Sequence, residues 1–169
     1  VGRHFTVRAL WSQTALYLRF TAAQTEPLVV SQKPDLSRKT KGLWDRDVCE
    51  IFIAPDPKNF RSYFEFEVAP TGEWIDLAVT QHPDRRETDF DYNSGMQTFG
   101  SVSLDSVTMA MRIGWQAFGK IPVVGERWKG NLLRCVGSGE DRGYLAWQPT
   151  LTDVPNFHVP EKFGEFEFV

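Results

Sequence analysis

Six residues, Tyr63-Phe64-Glu65-Phe66-Glu67-Val68, alternate in character with a period of two, and this period constrains the chain more than any other feature. Successive side chains of a strand point to opposite faces, so Phe64, Phe66 and Val68 share one face and Tyr63, Glu65 and Glu67 the other. The simplest reading makes the glutamates the wet face of a sheet. Residues 47–53 repeat the pattern, with Val48, Glu50 and Phe52 opposing Cys49, Ile51 and Ile53, until Pro55 and Pro57 stop the run. Residues 8–11 and 16–20 flank a short polar turn and read as a hairpin. Further strands are expected over 74–79, 108–115, 131–136, 144–147 and 165–168. Residues 23–42, 81–100 and 122–130 read as loops, and a helical turn is expected only near 116–120.

Roughly eight to ten short strands separated by turn signals predict an all-β fold, an antiparallel, jelly-roll-like β-sandwich of two packed sheets. At 169 residues, with no repeat or linker, the chain reads as one domain. It opens on Val1 directly before a strand pattern, which suggests a piece trimmed from a longer secreted protein. A net charge of −3 gives no excess of cations to neutralise phosphates, and no apolar run approaches a membrane span, so neither nucleic acid nor membrane insertion is expected. Cys49 and Cys135 are too few for a disulfide scaffold. They read as buried thiols, with their pairing left open.

Motifs for catalysis are missing. Gly137-Ser138-Gly139 lacks the spacing of a nucleophile elbow, and the stretch to Gly143 has no helix to receive a pyrophosphate. The three histidines, His4, His82 and His158, have no metal-ligand spacing. Glu50, Glu65 and Glu67 offer the carboxylates of a glycoside hydrolase only if one sits in a dry pocket. Asp89, Asp91 and Asn93 place oxygen-bearing side chains at every second position and are the calcium candidates, though Ser94 stands where a calcium loop needs glycine. A solvated turn is the plainer reading there.

Two segments carry a family pattern. One is Leu43-Trp44-Asp45-Arg46-Asp47-Val48-Cys49-Glu50-Ile51-Phe52-Ile53 followed by residues 63–74. The other is Trp147-Gln148-Pro149-Thr150, then Asn156-Phe157-His158-Val159-Pro160-Glu161-Lys162-Phe163-Gly164 and the closing Glu-Phe alternation. Together they resemble the family 9 carbohydrate-binding modules, from the hairpin at Leu16 to the C-terminus. The resemblance implies a non-catalytic β-sandwich that grips sugars, at polysaccharide reducing ends in modules attached to xylanases, between two aromatic rings.

By the same resemblance, Trp44 matches the first clamp ring and Glu50 a glutamate that bonds sugar hydroxyls. Phe157 stands where a second tryptophan would be, which keeps a ring but removes its N–H. Arg134, Asn156 and His158 are the further polar candidates. The implied partner is an oligo- or polysaccharide such as xylan or cellulose, and the implied setting is secreted, periplasmic or extracellular, beside other domains of a parent that is, or accompanies, a glycoside hydrolase. No cofactor is required, and calcium is the one candidate, although Thr21-Ala22-Ala23-Gln24 lacks an acid that family members carry after the second strand. Two alternatives remain open: an interaction domain that has lost sugar binding, and a haem-binding cytochrome-type relative drawing on Met96, Met109, Met111 or His158.

Overall fold

The computed structural model describes residues 3–169. Among these, β1 (Phe5–Trp11), β2 (Ala15–Ala23), β7 (Gln97–Val102) and β8 (Ser106–Gly114) make one antiparallel sheet in the order β1-β2-β8-β7. The second sheet contains β3 (Val48–Ala54), β4 (Ser62–Val68), β5 (Trp74–Gln81), β6 (Arg86–Asp89), β9 (Arg127–Val136), β10 (Gly143–Ala146) and β11 (Gly164–Glu167). Its order is β10-β9-β3-β4-β5-β6, and β11 pairs with the first half of β9 while β10 pairs with the second. The fold is an all-β, two-sheet sandwich, as the alternation predicted.

The two sheets meet over an apolar core. Leu16, Leu18 and Phe20 of β2 and Met109, Met111 and Ile113 of β8 face Cys49, Ile51 and Ile53 of β3, with Phe66, Val68 and Trp128. The larger sheet is also buried on its outer face. There Val48, Phe52, Tyr63, Ile75, Leu77, Val79 and Leu133 pack under Leu43 and Phe163, carried by loops that cross the sheet. This double burial explains why every residue of β3 is buried. It also overturns the wet-face reading: Glu50, Glu65 and Glu67 point outward from the sandwich core but lie beneath those loops.

Three other expectations change. The 81–100 stretch holds β6 and most of β7, and the 122–130 stretch holds the start of β9. Arg86-Glu87-Thr88-Asp89 and Arg127-Trp128-Lys129-Gly130 do alternate, but with too few apolar residues to show it. The expected helical turn is a 3-10 turn over Trp115–Phe118, closed by Gly119 in the left-handed region at φ 64°.

Cys49 and Cys135 lie on adjacent strands one register apart, Val48 opposing Cys135 and Cys49 opposing Arg134. Their side chains therefore point to opposite faces, one into each core, and both remain free thiols. Among the described residues no helix is long and apolar enough to cross a membrane.

Candidate functional site

A cleft of about 330 Å³ opens on the outer face of the larger sheet. Its floor is Glu50 and Phe52 of β3, Glu65 of β4, Leu77 of β5 and Cys135 of β9. Arg86, Thr88 and Phe90, then Trp44 and Asp45, then Tyr144 with residues 155–158, complete its lining. Trp44, Glu50, Asn156, Phe157 and His158, which the sequence singled out, thus share one cavity.

Trp44 is presented by a 3-10 turn over Leu43–Asp45, entered through Gly42 in the left-handed region at φ 82°. Leu43 anchors the turn by full burial, and Arg142 pins it from outside. The Arg142 guanidinium donates to the carbonyls of Trp44, of Arg46 at 3.0 Å and of Gly137 at 2.7 Å. The half-buried Trp44 ring leans on Phe90, with centroids 6.4 Å apart, and the Lys41 ammonium covers Phe90 at 4.4 Å. Phe157 meets the exposed ring of Tyr144 edge-on at 5.9 Å. Trp44 and Phe157 therefore each have a second aromatic ring against them.

His158 fixes the segment that carries Phe157. Its Nδ1 lies 2.7 Å from the Tyr63 hydroxyl, its ring rests on Phe52 at 5.0 Å, and its backbone N–H donates to Asn156 Oδ1 at 3.0 Å. Burial, reinforced by the nearby Arg86 charge, pushes the imidazole down to about 3, so it is neutral at pH 7. Burial also raises the tyrosine, so the phenol keeps its proton and donates it to Nδ1. That leaves Nε2 as the N–H, 4.0 Å from Glu65 Oε2.

The floor is electrostatically unusual. One oxygen each of Glu50, Glu65 and Glu67 lie within 4.8 Å of one another, all buried. Burial first, and the neighbouring Glu65 second, push Glu50 up to about 8. Glu67, buried beside both other carboxyls, rises well above the usual carboxylate range, and burial raises Glu65 as well. Neither oxygen of Glu67 has a hydrogen-bond partner among the described residues, and the Cys135 thiol donates to Glu50 at 3.5 Å. Like charges this close and this dry do not all ionise, so Glu50 and Glu67 carry protons near neutral pH.

The pattern described by the carbohydrate-binding family 9 model matches residues 4–168. The chain belongs to this family. A Bacteroides uniformis protein proposed to bind carbohydrate shares its fold with TM-score 0.75 at 20% identity, over 99% of this chain and 79% of that one. A family 9 module from Caldicellulosiruptor kristjanssonii solved with cellotriose aligns at 0.66 and 15%, over 99% and 76%. The same kind of module solved with glucose aligns at 0.61 and 16%, over 100% and 78%. At these identities the likeness is one of fold. No curated protein sequence matches significantly.

Family 9 modules bind rather than catalyse, and the glutamates of this module fit that role. A glycosidase pair separates one raised carboxyl from one that stays ionised, whereas burial raises all three here. Arg134, expected among the sugar contacts, lies elsewhere. Its guanidinium donates to the carbonyls of Arg3 and Ala23 and to Gln24 Oε1 at 2.6 Å, closing the end of the sandwich beyond the cleft. Register explains this, since Arg134 is one residue out of phase with the cleft-facing Cys135.

Two of the three calcium candidates, Asp89 and Asn93, are likewise occupied with nearby backbone, while Asp91 is exposed. Asp89 Oδ1 accepts the N–H groups of Asp91 and Tyr92, and Asn93 Oδ1 that of Gly95. The cation in that neighbourhood is Lys39, whose ammonium meets the carbonyls of Phe90 and Tyr92. Met96, Met109 and Met111 pack in the inter-sheet core, and His158 is committed to Tyr63, so none is positioned as a haem ligand in the cleft. The sequence reading missed Arg86, Thr88, Phe90 and Tyr144. Arg86 and Thr88 alternate along β6, a signal hidden because every residue of that strand is polar.

Proposed function

We propose that the module holds the end of a neutral saccharide chain in this cleft without chemical turnover. The observation that carries the reading is the convergence of Trp44 and Phe157, from distant parts of the chain, on one cavity floored by Glu50. A pyranose presents C–H faces that pack on aromatic planes and a rim of hydroxyls that seek polar partners. Trp44 and Phe157 supply the planes. Protonated Glu50 both donates and accepts, Asn156 keeps its amide N–H groups free, and Arg86 adds a charged donor at the wall. A cleft of about 330 Å³ suits the last one or two sugars of a chain, hence a reducing end.

The cellotriose and glucose bound by the C. kristjanssonii modules make β-glucans the first ligands to try, with xylan beside them. Such a partner places the module outside the cytoplasm, in the periplasm or beyond the cell, joined to further domains of a polysaccharide-degrading protein. Stripping hydroxyls of water and fixing a small ligand offset much of the contact energy, so dissociation constants of about 10 µM to 1 mM are expected.

Calorimetric titration with cello- and xylo-oligosaccharides, free and end-reduced, tests this. Binding that disappears in Trp44→Ala, and on reduction of the sugar end, supports it. Absence of heat with every glycan would leave a module that only packs against its neighbours.

A further inference from the structure

The outer face of the smaller sheet, on the opposite side of the sandwich from the cleft, is bare. Register sets its side chains in rows. Leu10, Tyr17, Arg112 and Gln97 stand across β1, β2, β8 and β7; Arg8, Arg19, Ala110 and Phe99 form the next row; Thr6, Thr21, Thr108 and Ser101 the third. Leu10 and Phe99 are 72% and 57% exposed. Arg8, Leu10, Tyr17, Arg19, Phe99 and Arg112 line a shallow concavity there.

The charge on this face is the decisive observation. The four strands contain three arginines and no acidic residue, in a chain whose net charge is −3. Arg8 stands directly opposite Arg19 on the neighbouring strand, a like-charge pair that destabilises a sheet. Among the described residues none of the three forms an ion pair, and Arg112 lies over the Tyr17 ring at 6.0 Å. An anion seated between Arg8 and Arg19 would remove the repulsion that folding leaves there.

We propose that this face is a second glycan site, specific for acidic oligosaccharides. Uronate carboxylates sit on Arg8 and Arg19, and sugar rings pack on Tyr17 and Phe99. The two rings are two strands apart, ~10 Å across the sheet, a spacing that a disaccharide unit bridges. The threonine row provides hydroxyl partners at the far side. A nucleic acid, charged at every nucleotide, would meet a negative protein with only three cations to hold it. An acidic peptide would gain from the arginines but leave the exposed rings unused. An acidic glycan uses both, because its charges are set among apolar sugar faces.

The test is titration of the full chain with tetragalacturonate, cellotetraose and hexaglutamate at low salt. Tetragalacturonate should bind about tenfold more weakly to Arg19→Ala and about fivefold more weakly to Phe99→Ala, with Trp44→Ala unchanged. Cellotetraose should show the reverse dependence, lost in Trp44→Ala and indifferent to Arg19→Ala. Arg19 and Phe99 are exposed and Trp44 is half-buried, so melting temperatures are measured for all three variants to confirm that they fold. Tetragalacturonate that fails to bind, or that depends on Trp44 rather than Arg19, overturns the second site. Hexaglutamate binding as tightly, with no loss in Phe99→Ala, overturns the glycan assignment in favour of simple charge attraction.

Discussion

The Tyr63 hydroxyl lies 2.7 Å from His158 Nδ1, tying the start of β4 to a loop 95 residues further along the chain. The bond holds the neutral imidazole against Phe52 and so fixes the approach of Phe157 to the cleft. Tyr63→Phe keeps the ring but leaves the buried Nδ1 without a donor. It should cost about 1–3 kcal/mol, read as a lower melting temperature, and weaken sugar binding through Phe157. Unchanged affinity with lowered stability would show that Phe157 does not depend on this bond.

The carboxyl cluster and His158 give the module opposing pH dependences. Glu50 is raised to about 8, so its stabilising contribution is whole below its unfolded value near 4.5 and is lost as pH rises through 8. His158 is depressed to about 3, so stability is whole above its unfolded value near 6.5 and declines as pH falls towards 3. The melting temperature should therefore be highest between about pH 4.5 and 6.5, where the two slopes oppose each other. On the alkaline side each proton released costs up to about 1.4 kcal/mol per pH unit.

Glu67→Gln separates the two limbs. It removes the most deeply buried carboxyl of the cluster and its repulsion of Glu50 while preserving shape. The variant should be more stable than the native protein at pH 8, on the order of 1–2 kcal/mol, with a flatter alkaline limb. A variant less stable at every pH would mean that the cluster is held together by something other than protons.

How far the sequence carried the reading depends on where apolar residues sat. Phe64, Phe66 and Val68 announced β4 because three large apolar side chains share one phase. Arg86 and Thr88 occupy an equally regular strand, yet its four polar residues gave no contrast. Period two also fixes which residues share a face but not what covers that face. Glu65 and Glu67 were therefore assigned to solvent, whereas the 43–47 and 155–163 loops lie over them. That Trp44 and Phe157 would share one cavity was legible through family resemblance alone. Arg134 was misplaced by a single residue of register, since no local signal distinguishes it from Cys135 as the cleft-facing neighbour.

Lys39 invites a test of whether an ammonium can stand in for a metal. Its Nζ lies 2.7 Å from Asp76 Oδ1 and donates to the carbonyls of Asp76 at 3.0 Å, Phe90 at 3.1 Å and Tyr92. Four oxygens converge on one cation, the donor set that hard divalent ions prefer. Lys39→Met leaves fully buried Asp76 without its counter-ion and should cost about 3–5 kcal/mol. Millimolar calcium should recover part of that loss, and a chelator should reverse the recovery. Melting curves insensitive to calcium would mean that the cage is shaped for the ammonium alone.

Arg142 does not line the cleft itself but meets it through the backbone of the Trp44 turn and through the Tyr144 ring, over which its guanidinium sits at 5.4 Å. Three carbonyls, those of Trp44, Arg46 and Gly137, share its guanidinium. Arg142→Ala should lower stability by about 1–3 kcal/mol and weaken cello-oligosaccharide binding about tenfold by freeing the ring. Lysine restores the charge but not the fork, so Arg142→Lys should recover stability more fully than affinity. The distinguishing measurement is the heat capacity change on binding. If the ring merely becomes mobile, the bound state still buries it and the change persists at saturation. A vanished heat capacity change with intact stability would place Arg142 in direct contact with sugar instead.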